Sequence, residues 1–474
     1  MKQILWVGVL SLMVGTSCFA AEKRPPNVVL FFVDDLGWGD LGCNGNTFHL
    51  TPNIDAFAKT SRVFSDAYAY PSCSPSRACL VTGQNTPRHG IYNVKYYLGT
   101  RDWLKKIKDV KTNHFYKGDA PTIGTLMKRL GYKCGYAGKW HMGDEGKGLP
   151  QAHGFTQMNA GGCGWGHPAG GFFSPYKNTQ LPDGPKGEYL SDRLTEESIG
   201  FIKKYKNEPF FLVYAPYLVH RPVEPKPEYV KLFAERPPSK THRNQGYAAM
   251  VYAMDLAFGK LVESLKEQGV YENTLIVFTS DNGTNPACAK SLPLRGCKAS
   301  IYEGGIRVPT MVYWKGVTSP GISKTPVSLL DWIPTFLDAG GGRLDGLTLD
   351  GESLLPIFDG KGKLKRDALF WHIASYQGNP SNAKNDTWTR PCSIIRTDQY
   401  KFVQEYENGT FELYDLRKDR SEKKNLAGDL PEVVSRLKKK LDTWLKDMDA
   451  VIPNEPNPNY DPSRGERVKK KKKK

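Results

Sequence analysis

Long apolar runs with polar residues directly behind them are the main pattern of this chain. The first run covers residues 27–33, and similar runs of Phe, Leu, Val and Tyr cover 209–215 and 274–280. A continuous apolar run without alternation predicts a strand that is buried on both faces of a sheet. Helical segments separate the runs, so residues 27–340 predict an α/β fold, with a predominantly parallel or mixed sheet flanked by helices on both faces.

Two helices of this region have clear boundaries. Thr51 before Pro52 suits an N-cap followed by a first helical position, with Ile54, Phe57 and Ala58 on one face. A second helix is predicted over residues 329–337, and it ends before the glycines at 340–342.

The pattern changes after about residue 365. Residues 400–406 and 410–416 alternate in polarity around Asn408-Gly409, which is a strong hairpin signal. One helical face follows Pro431, formed by Val433, Val434, Leu437, Leu441, Trp444, Leu445 and Met448. We therefore predict a catalytic domain over 24–365, a small antiparallel sheet with a closing helix over 366–451, and a disordered tail over 452–474, which is rich in Pro and Asn and ends in six lysines.

Residues 1–20 have the pattern of a secretory signal peptide. Lys2 precedes an apolar stretch too short to span a bilayer, and small residues lead to Ala20. The alternative is a lipoprotein acylated at Cys18, although Gly15 stands where a large aliphatic residue is expected. We expect an exported protein, periplasmic or secreted, without an integral membrane span.

The chain of 474 residues has a net charge of +17, six charges of which come from Lys469–Lys474. Such a surplus favours a polyanionic partner. Nucleic acid is not expected, because no recognition motif is present and the export signal separates the protein from the chromosome.

Two strand ends carry paired metal-ligand types. Asp34-Asp35 follows the first apolar run, and Asp281-Asn282 follows the run at 274–280. Adjacent carboxylates repel each other unless a cation lies between them, and the strand ends of open α/β sheets are where sites form. We therefore predict a hard divalent cation at this edge.

The segment Pro71–Gly83 contains Cys73-x-Pro75-x-Arg77 followed by Leu80-x-Thr82-Gly83. It resembles the signature of the sulfatase family, of the arylsulfatase and N-acetylgalactosamine-6-sulfatase type, within the alkaline phosphatase superfamily. Further blocks that resemble the family follow in its order: Asn27–Asp40, Tyr136–Gly143, Pro209–Pro222, Thr274–Gly283, Leu294–Lys298 and Tyr302–Pro309.

The resemblance implies an alkaline-phosphatase-like fold and a specific set of roles. Cys73 would be oxidised by a maturation enzyme to formylglycine (3-oxoalanine), whose hydrate is the nucleophile and whose second hydroxyl can expel the sulfate. Arg77 would steady that hydrate, and His141 would take the proton that allows sulfate to leave. Lys139, His220 and Lys298 would hold sulfate oxygens, with Lys298 or His220 assisting departure of the alcohol.

The resemblance also implies one Ca²⁺. Its ligands would be Asp34, Asp35, Asp281, Asn282 and the formylglycine derived from Cys73, an all-oxygen shell that calcium accepts.

Lys139 and His141 are two positions apart, so an extended segment would direct both side chains to one side.

Cysteine usage leaves open alternatives. Removal of Cys18 and conversion of Cys73 leave seven of the nine cysteines, so at least one thiol should be unpaired. Cys288 and Cys297 are close enough in sequence to form a disulfide. The sequence contains no Cys-x-x-Cys motif, so a zinc site is not predicted.

We therefore expect an exported calcium-dependent sulfatase that hydrolyses a sulfate ester on a carbohydrate. The alternatives are a phosphonate monoester hydrolase or phosphodiesterase of the same superfamily, and an inactive exported binder of sulfated glycans. Which sugar is bound should depend on loops outside the blocks, and the candidates are Arg88, His89, Tyr96, Tyr97, Arg101, Trp103, Trp165–His167 and Asn379–Arg390.

Overall fold

The computed structural model describes residues 24–94, 101–116, 118, 120–143, 148–161, 170–178, 180–378 and 386–464. The predicted signal peptide, Tyr96, Tyr97, Trp165–His167 and the lysine run lie outside these ranges. No helix within them is long and apolar enough to cross a bilayer.

The strands of the described chain are β1 (Asn27–Val33), β2 (Arg62–Phe64), β3 (Ala67–Tyr68), β4 (Lys133–Lys139), β5 (Thr156–Gly161), β6 (Phe210–Ala215), β7 (Thr274–Ser280), β8 (Thr310–Tyr313), β9 (Gly321–Ser323), β10 (Val327–Ser328), β11 (Ala368–Ile373), β12 (Gln377–Gly378), β13 (Trp388–Thr389), β14 (Cys392–Thr397), β15 (Tyr400–Glu405) and β16 (Phe411–Asp415). The α-helices are α1 (Pro52–Thr60), α2 (Cys73–Thr82), α3 (Thr86–His89), α4 (Ile123–Arg129), α5 (Leu190–Tyr205), α6 (Pro227–Lys231), α7 (Gln245–Glu267), α8 (Glu303–Ile306), α9 (Trp332–Ala339), α10 (Leu355–Phe358) and α11 (Pro431–Asp447).

An eight-stranded mixed sheet is the centre of the molecule, with the order β5-β4-β6-β1-β7-β8-β2-β9. β1 lies parallel between β6 and β7, whereas β8 is antiparallel to β7 and to β2. Each residue of β1 is buried, and alternate side chains enter two different cores. The predicted α/β class, with helices on both faces, is therefore confirmed.

The two cores contain different helices. Val28, Leu30 and Phe32 pack with residues of α2, α4 and α9, whereas Val29 and Phe31 pack with residues of α1, α5 and α7. Burial on both faces explains why β1 shows no polar alternation in the sequence.

The C-terminal elements follow the sequence prediction closely. β11-β14-β15-β16 form an antiparallel sheet, β15 and β16 flank the turn at Asn408-Gly409, and α11 begins at Pro431. The helix buries Leu437, Leu441 and Leu445 against this sheet. The boundary between domains near residue 365 stays a prediction.

One part of the predicted disordered tail is ordered, which corrects the prediction for residues 452–464. The backbone N–H of Lys108 donates to Glu455 O at 2.8 Å, and that of Asp461 donates to Trp103 O at 2.8 Å. The buried Asn457 amide donates to the carbonyl of Lys105 at 2.9 Å. Hydrogen bonds to the backbone of residues 101–108, which the Pro/Asn composition does not indicate, hold this segment in place.

Candidate active site

The acidic residues of the site lie at the ends of two neighbouring strands. Val33 of β1 is in register with Ser280 of β7, so both strands end at one level. Asp34 and Asp35 therefore lie beside Asp281, all fully buried. The backbone of Asp35 adopts a left-handed conformation, with a φ of 59°, and its N–H donates to Asp281 Oδ1 at 3.1 Å.

Cys73 is the first residue of α2 and points at this acidic edge. Its Sγ lies 3.5 Å from Asp34 Oδ1 and 3.7 Å from Asp35 Oδ1. Burial and the nearby Asp281 charge raise the pKa of the Cys73 thiol far above its ordinary value. An unmodified Cys73 is therefore a protonated thiol and a poor nucleophile here.

Arg77 lies one turn further along α2 and bonds to the strand end rather than to Cys73. Its Nε and Nη2 donate to Asp281 Oδ2 at 3.1 and 2.8 Å, and its Nη1 donates to Lys139 O at 2.6 Å. The guanidinium also stacks over the Phe32 ring, 5.0 Å from its centroid. Burial alone would lower the pKa of Arg77, but the carboxylates of Asp281 and Asp34 raise it above its usual value.

Two lysines complete the charge balance. Lys139 Nζ lies 2.5 Å from Asp34 Oδ2. Lys298 Nζ lies 2.6 Å from Asp35 Oδ1 and 3.2 Å from Cys73 Sγ. Burial acts to raise the pKa of Asp35, but Lys298, His220 and Lys139 outweigh it and lower that pKa. Burial and the charge of Asp34 raise the pKa of Asp281 to about 6.

His220 and His141 lie at the border of this cluster. His220 Nε2 is 3.7 Å from Asp35 Oδ2, while its Nδ1 is 2.6 Å from Arg221 O. A carbonyl oxygen only accepts, so Nδ1 carries the proton and a neutral His220 presents the lone pair of Nε2 to the site. His141 Nδ1 is buried without a hydrogen-bond partner, and burial together with the neighbouring Lys139 lowers the pKa of His141.

The route by which His141 reaches the site differs from the sequence prediction. β4 ends at Lys139, and His141 adopts a left-handed backbone with a φ of 61°. The two side chains are therefore not neighbours on one face of an extended strand. The turn after Lys139, not strand alternation, places His141 near Arg77 and Lys298.

The donor set fits a hard divalent cation. Asp34, Asp35, Asp281 and Asn282 supply carboxylate and amide oxygens, and Asn282 Oδ1 is buried without a hydrogen-bond partner. Ligand atoms of Asp34, Asp35, Cys73 and His220 also lie within 4.8 Å of one another. Three carboxylates already face three cations here, so a bound divalent ion would make the site positive and favour an anionic ester.

Two residues near the site were not predicted from the sequence. Asn285 Nδ2 lies 3.5 Å from Asp35 Oδ2, and Gln377 Oε1 accepts from Ser72 Oγ at 3.0 Å, directly before Cys73. The position of Asn285, four residues after Asp281 on one loop, could have suggested it. Gln377 comes from the C-terminal part of the chain and had no local pattern.

Two sequence hypotheses near the site are wrong. His89 is buried, its Nε2 lies 3.4 Å from Cys79 Sγ and its Nδ1 accepts from Ile91 N at 3.0 Å, so it cannot contact a sugar. Cys288 and Cys297 are both free thiols in buried positions, so the possible disulfide is not formed.

The other residues that were predicted to contact the substrate lie in different surroundings. Arg88 pairs with Asp350, and the Trp103 ring lies against Arg464, whose guanidinium is 4.5 Å from its centroid. Trp388 stacks on Tyr376, with ring centroids 5.6 Å apart. Residues 379–385 lie outside the described chain.

A buried cysteine at a helix N-terminus, between acidic strand ends and basic side chains, is an arrangement that suits hydrolysis of an anionic ester. The sulfatase family model matches residues 26–342, and a model of the C-terminal part of N-sulphoglucosamine sulphohydrolase matches residues 297–448. The chain belongs to the sulfatase family of the alkaline phosphatase superfamily and is a sulfuric ester hydrolase.

Individual relatives agree with this assignment over nearly the whole chain. Human arylsulfatase A is 31% identical over 93% of this chain and 92% of its own length. A sulfatase of Formosa agariphila is 28% identical over 94% and 93%, respectively. The crystal structure of Ps i-CgsB in complex with k-i-k-neocarrahexaose superposes with a TM-score of 0.75 at 29% identity, and the match covers 94% of this chain and 97% of that one.

The phosphonate monoester hydrolase of Agrobacterium radiobacter shares the fold. Its TM-score is 0.62 at 21% identity, with 90% of this chain and 95% of that chain covered.

Replacement of Arg77 by Met should destabilise the fold. The change leaves Asp281 and Asp34 buried without their guanidinium, so we expect a loss of about 3–5 kcal/mol in the free energy of unfolding. Urea unfolding in the presence of a chelator measures this loss, and the Arg77→Lys variant should lose less. The control is Arg88→Met, whose ion pair with Asp350 is partly exposed (32% for the Arg88 side chain) and should be worth under about 1 kcal/mol. Equal stability of the two Met variants would contradict the role of Arg77 in charge compensation.

Proposed function

We propose that this protein is an exported, calcium-dependent sulfatase that acts on a sulfated carbohydrate through a formylglycine derived from Cys73. The observation that supports this most strongly is the position of Cys73 Sγ, which lies within 4 Å of Asp34, Asp35 and Lys298. An oxygen nucleophile on this side chain would therefore be adjacent to the predicted metal ligands and to one ammonium group.

The modified residue would supply a nucleophilic hydroxyl and a second hydroxyl that allows sulfate to leave without an attacking water. The calcium ion, held by Asp34, Asp35, Asp281 and Asn282, would supply a positive charge that polarises the ester.

The protein's own side chains would bind and orient the sulfate group. Lys139 Nζ pairs with Asp34 and Lys298 Nζ pairs with Asp35, and both carboxylates are close to Cys73 Sγ. His220, on the loop after β6, has its Nε2 3.7 Å from Asp35 Oδ2. The two ammonium groups would donate to sulfate oxygens, and His220 would donate from Nε2 only in its doubly protonated form, because Nδ1 already holds the proton of the neutral ring. Fixed donors aimed at developing charge are the largest catalytic contribution in such sites.

Proton transfers are assigned to the groups at the border of the site. His141 Nδ1 has no partner in the described chain, so it is available to accept a proton from the nucleophile. Lys298, or His220 when Nε2 is also protonated, would donate a proton to the leaving alcohol. Lys298 Nζ lies 3.2 Å from Cys73 Sγ, and His220 Nε2 lies 3.7 Å from Asp35 Oδ2.

Support for a carbohydrate substrate comes from the relatives. N-acetylgalactosamine-6-sulfatase of Homo sapiens is 31% identical over 74% of this chain and 69% of that protein. The complex of Ps i-CgsB contains an oligosaccharide. The signal-peptide pattern of residues 1–20 supports export.

Cys73 should be converted to formylglycine in a host that has the modifying enzyme, because the motif Cys73-x-Pro75-x-Arg77 is intact. Mass spectrometry of the tryptic peptide should show the aldehyde in active protein. A Cys73→Ala variant should keep the fold and lose turnover. Active protein with an entirely unmodified thiol would contradict the proposed nucleophile and favour the glycan-binder alternative.

Calcium should bind the site and be required for turnover. At a hundredfold excess over Kd, a ligand that binds only the native state stabilises it by about 2.7 kcal/mol, so Ca²⁺ should raise the melting temperature of chelated protein. Asp281→Asn keeps the shape of the side chain but removes an anionic ligand, and it should weaken Ca²⁺ binding by about tenfold or more, as measured by calorimetry. The control is Asp345→Asn, in an exposed pair with Arg343. Full turnover in metal-free buffer, or unchanged Ca²⁺ affinity in Asp281→Asn, would refute the metal site.

Sulfated sugars should give a higher kcat/KM than a simple aryl sulfate, because remote sugar contacts contribute to transition-state binding. The panel compares sulfated galactose, N-acetylhexosamine and uronic acid with an aryl sulfate and a phosphonate monoester, with Cys73→Ala as the blank. If the aryl sulfate is the best substrate, the proposal of a sulfated carbohydrate substrate is refuted. If the phosphonate is best, the proposal of a sulfate ester substrate falls as well.

A further inference from the structure

A basic groove crosses the free edge of the eight-stranded sheet, at the edge strand β9. Two cavities of about 500 and 780 Å³ meet there and share Ile322 and Lys324. The first lies between β9 and residues 363–369, and the second lies between β9 and α1. We name this surface the edge groove and define it by Lys59, Arg62, Ile322, Lys324 and Lys363. Each cavity has the volume of a ligand pocket.

The basic side chains of the edge groove lack carboxylate partners. Lys59, Arg62, Lys324 and Lys363 form no ion pair with any residue in the described part of the chain. Most other charges along the walls are neutralised: Asp367 by Lys440, Asp398 by Arg417, Arg366 by Asp331 and Arg420 by Asp66. Asp55 remains, and it already accepts hydrogen bonds from Cys43 N and Thr51 Oγ1. The groove therefore carries a surplus of positive charge.

Arg62 adds an unsatisfied donor to this surplus. Its Nε is buried and has no hydrogen-bond partner. Its guanidinium packs on the backbone of Gly360, where a Cβ atom would lie 3.0 Å from Nη1 and Nη2. The Arg62 charge has no carboxylate partner in the described chain, so an anion bound in the first cavity, which Arg62 lines, would compensate it.

The groove also has an apolar centre. Ile322 is 69% exposed, between the two cavities, and Trp38 lines the second cavity. A sulfated sugar chain offers both chemistries, because its sulfate groups are anionic and its ring faces carry C–H groups. A site with an apolar surface and a few placed charges suits such a ligand.

The edge groove is separate from the active site. β9 is three strands away from β7, whose end carries Asp281, and this separation is roughly 14 Å at about 4.8 Å per strand. We propose that the edge groove binds a distal part of a sulfated polysaccharide whose sulfate esters the active site hydrolyses. This inference rests on the proposed function. Engagement of one chain at two sites raises the effective concentration of the second contact, so it favours polymers over short sugars.

The test compares two double variants with the same change in charge. Lys324→Glu/Lys363→Glu reverses two exposed charges of the groove, and Lys203→Glu/Lys231→Glu reverses two exposed charges on α5 and α6. The mature, calcium-loaded proteins are titrated with labelled dextran sulfate at low salt. We expect the groove variant to raise Kd by about tenfold and the control by less than about twofold, with the difference shrinking as NaCl screens the charges.

Turnover of a sulfated monosaccharide should be the same in both variants, because neither pair touches the active site. The Arg62→Gln variant should raise the Kd for dextran sulfate without any change in that turnover. Equal losses in the two double variants would overturn the inference, since they would show a diffuse charge effect.

Four further probes identify the ligand class. Unsulfated dextran should show no difference between the variants. An equally large loss with oligothymidylate, or with vesicles of phosphatidylglycerol and phosphatidylcholine, would overturn the assignment to sulfated polysaccharide. The same holds if millimolar inorganic sulfate, at constant ionic strength, abolishes the difference, since the groove would then bind the free ion. Binding of dextran sulfate needs no turnover. If the groove variant and the control variant differ in Kd but the protein hydrolyses no sulfated sugar, the proposed function is refuted and the anion-binding role of the edge groove is not.

Discussion

Compensation of three buried carboxylates is the constraint on which the structure of this site depends. Asp34, Asp35 and Asp281 lie together at the ends of β1 and β7 with no exposed surface. Unpaired charges in such a place are strongly destabilising, so each needs a partner with close geometry. Arg77, Lys139 and Lys298 provide these partners from three separate segments, and the same groups surround Cys73.

The position of Lys298 depends in turn on the C-terminal part of the chain. Its loop ends at α8, where the N–H of Glu303 donates to Glu422 Oε2 at 2.6 Å, and Lys401 Nζ donates to Ile301 O at 2.7 Å. Arg295, at the start of the loop, forms two hydrogen bonds of 3.0 Å with Asp386. The C-terminal part of the chain therefore holds in place the loop that carries Lys298.

A second set of buried charges joins the two parts of the molecule. Asp66, before β3, lies 3.2 Å from Arg307 Nη2 and 3.0 Å from Arg396 Nη2 of β14. Tyr68 OH lies between these groups and accepts from both arginines. Arg307 belongs to the segment Tyr302–Pro309, which resembles a sulfatase block, and its contacts indicate a structural role.

The sequence by itself determined the elements with strong local patterns. The apolar run at 27–33 is a central strand because burial on both faces needs such a run. Asn408-Gly409 forms the hairpin because the turn needs residues that tolerate positive φ. The catalytic residues were predicted from the resemblance of Cys73 and its neighbouring blocks to the sulfatase family. Only the acidic pairs Asp34-Asp35 and Asp281-Asn282 were predicted from local sequence, because both follow buried apolar runs.

Only the tertiary structure decided contacts between segments far apart in sequence. Gln377 reaches Ser72, residues 452–464 pair with the backbone near residue 105, and His89 turns into the core to meet Cys79. The turn that carries His141 also departs from strand alternation. No local periodicity encodes these contacts, because each depends on hydrogen bonds whose partners come together only when the chain is folded.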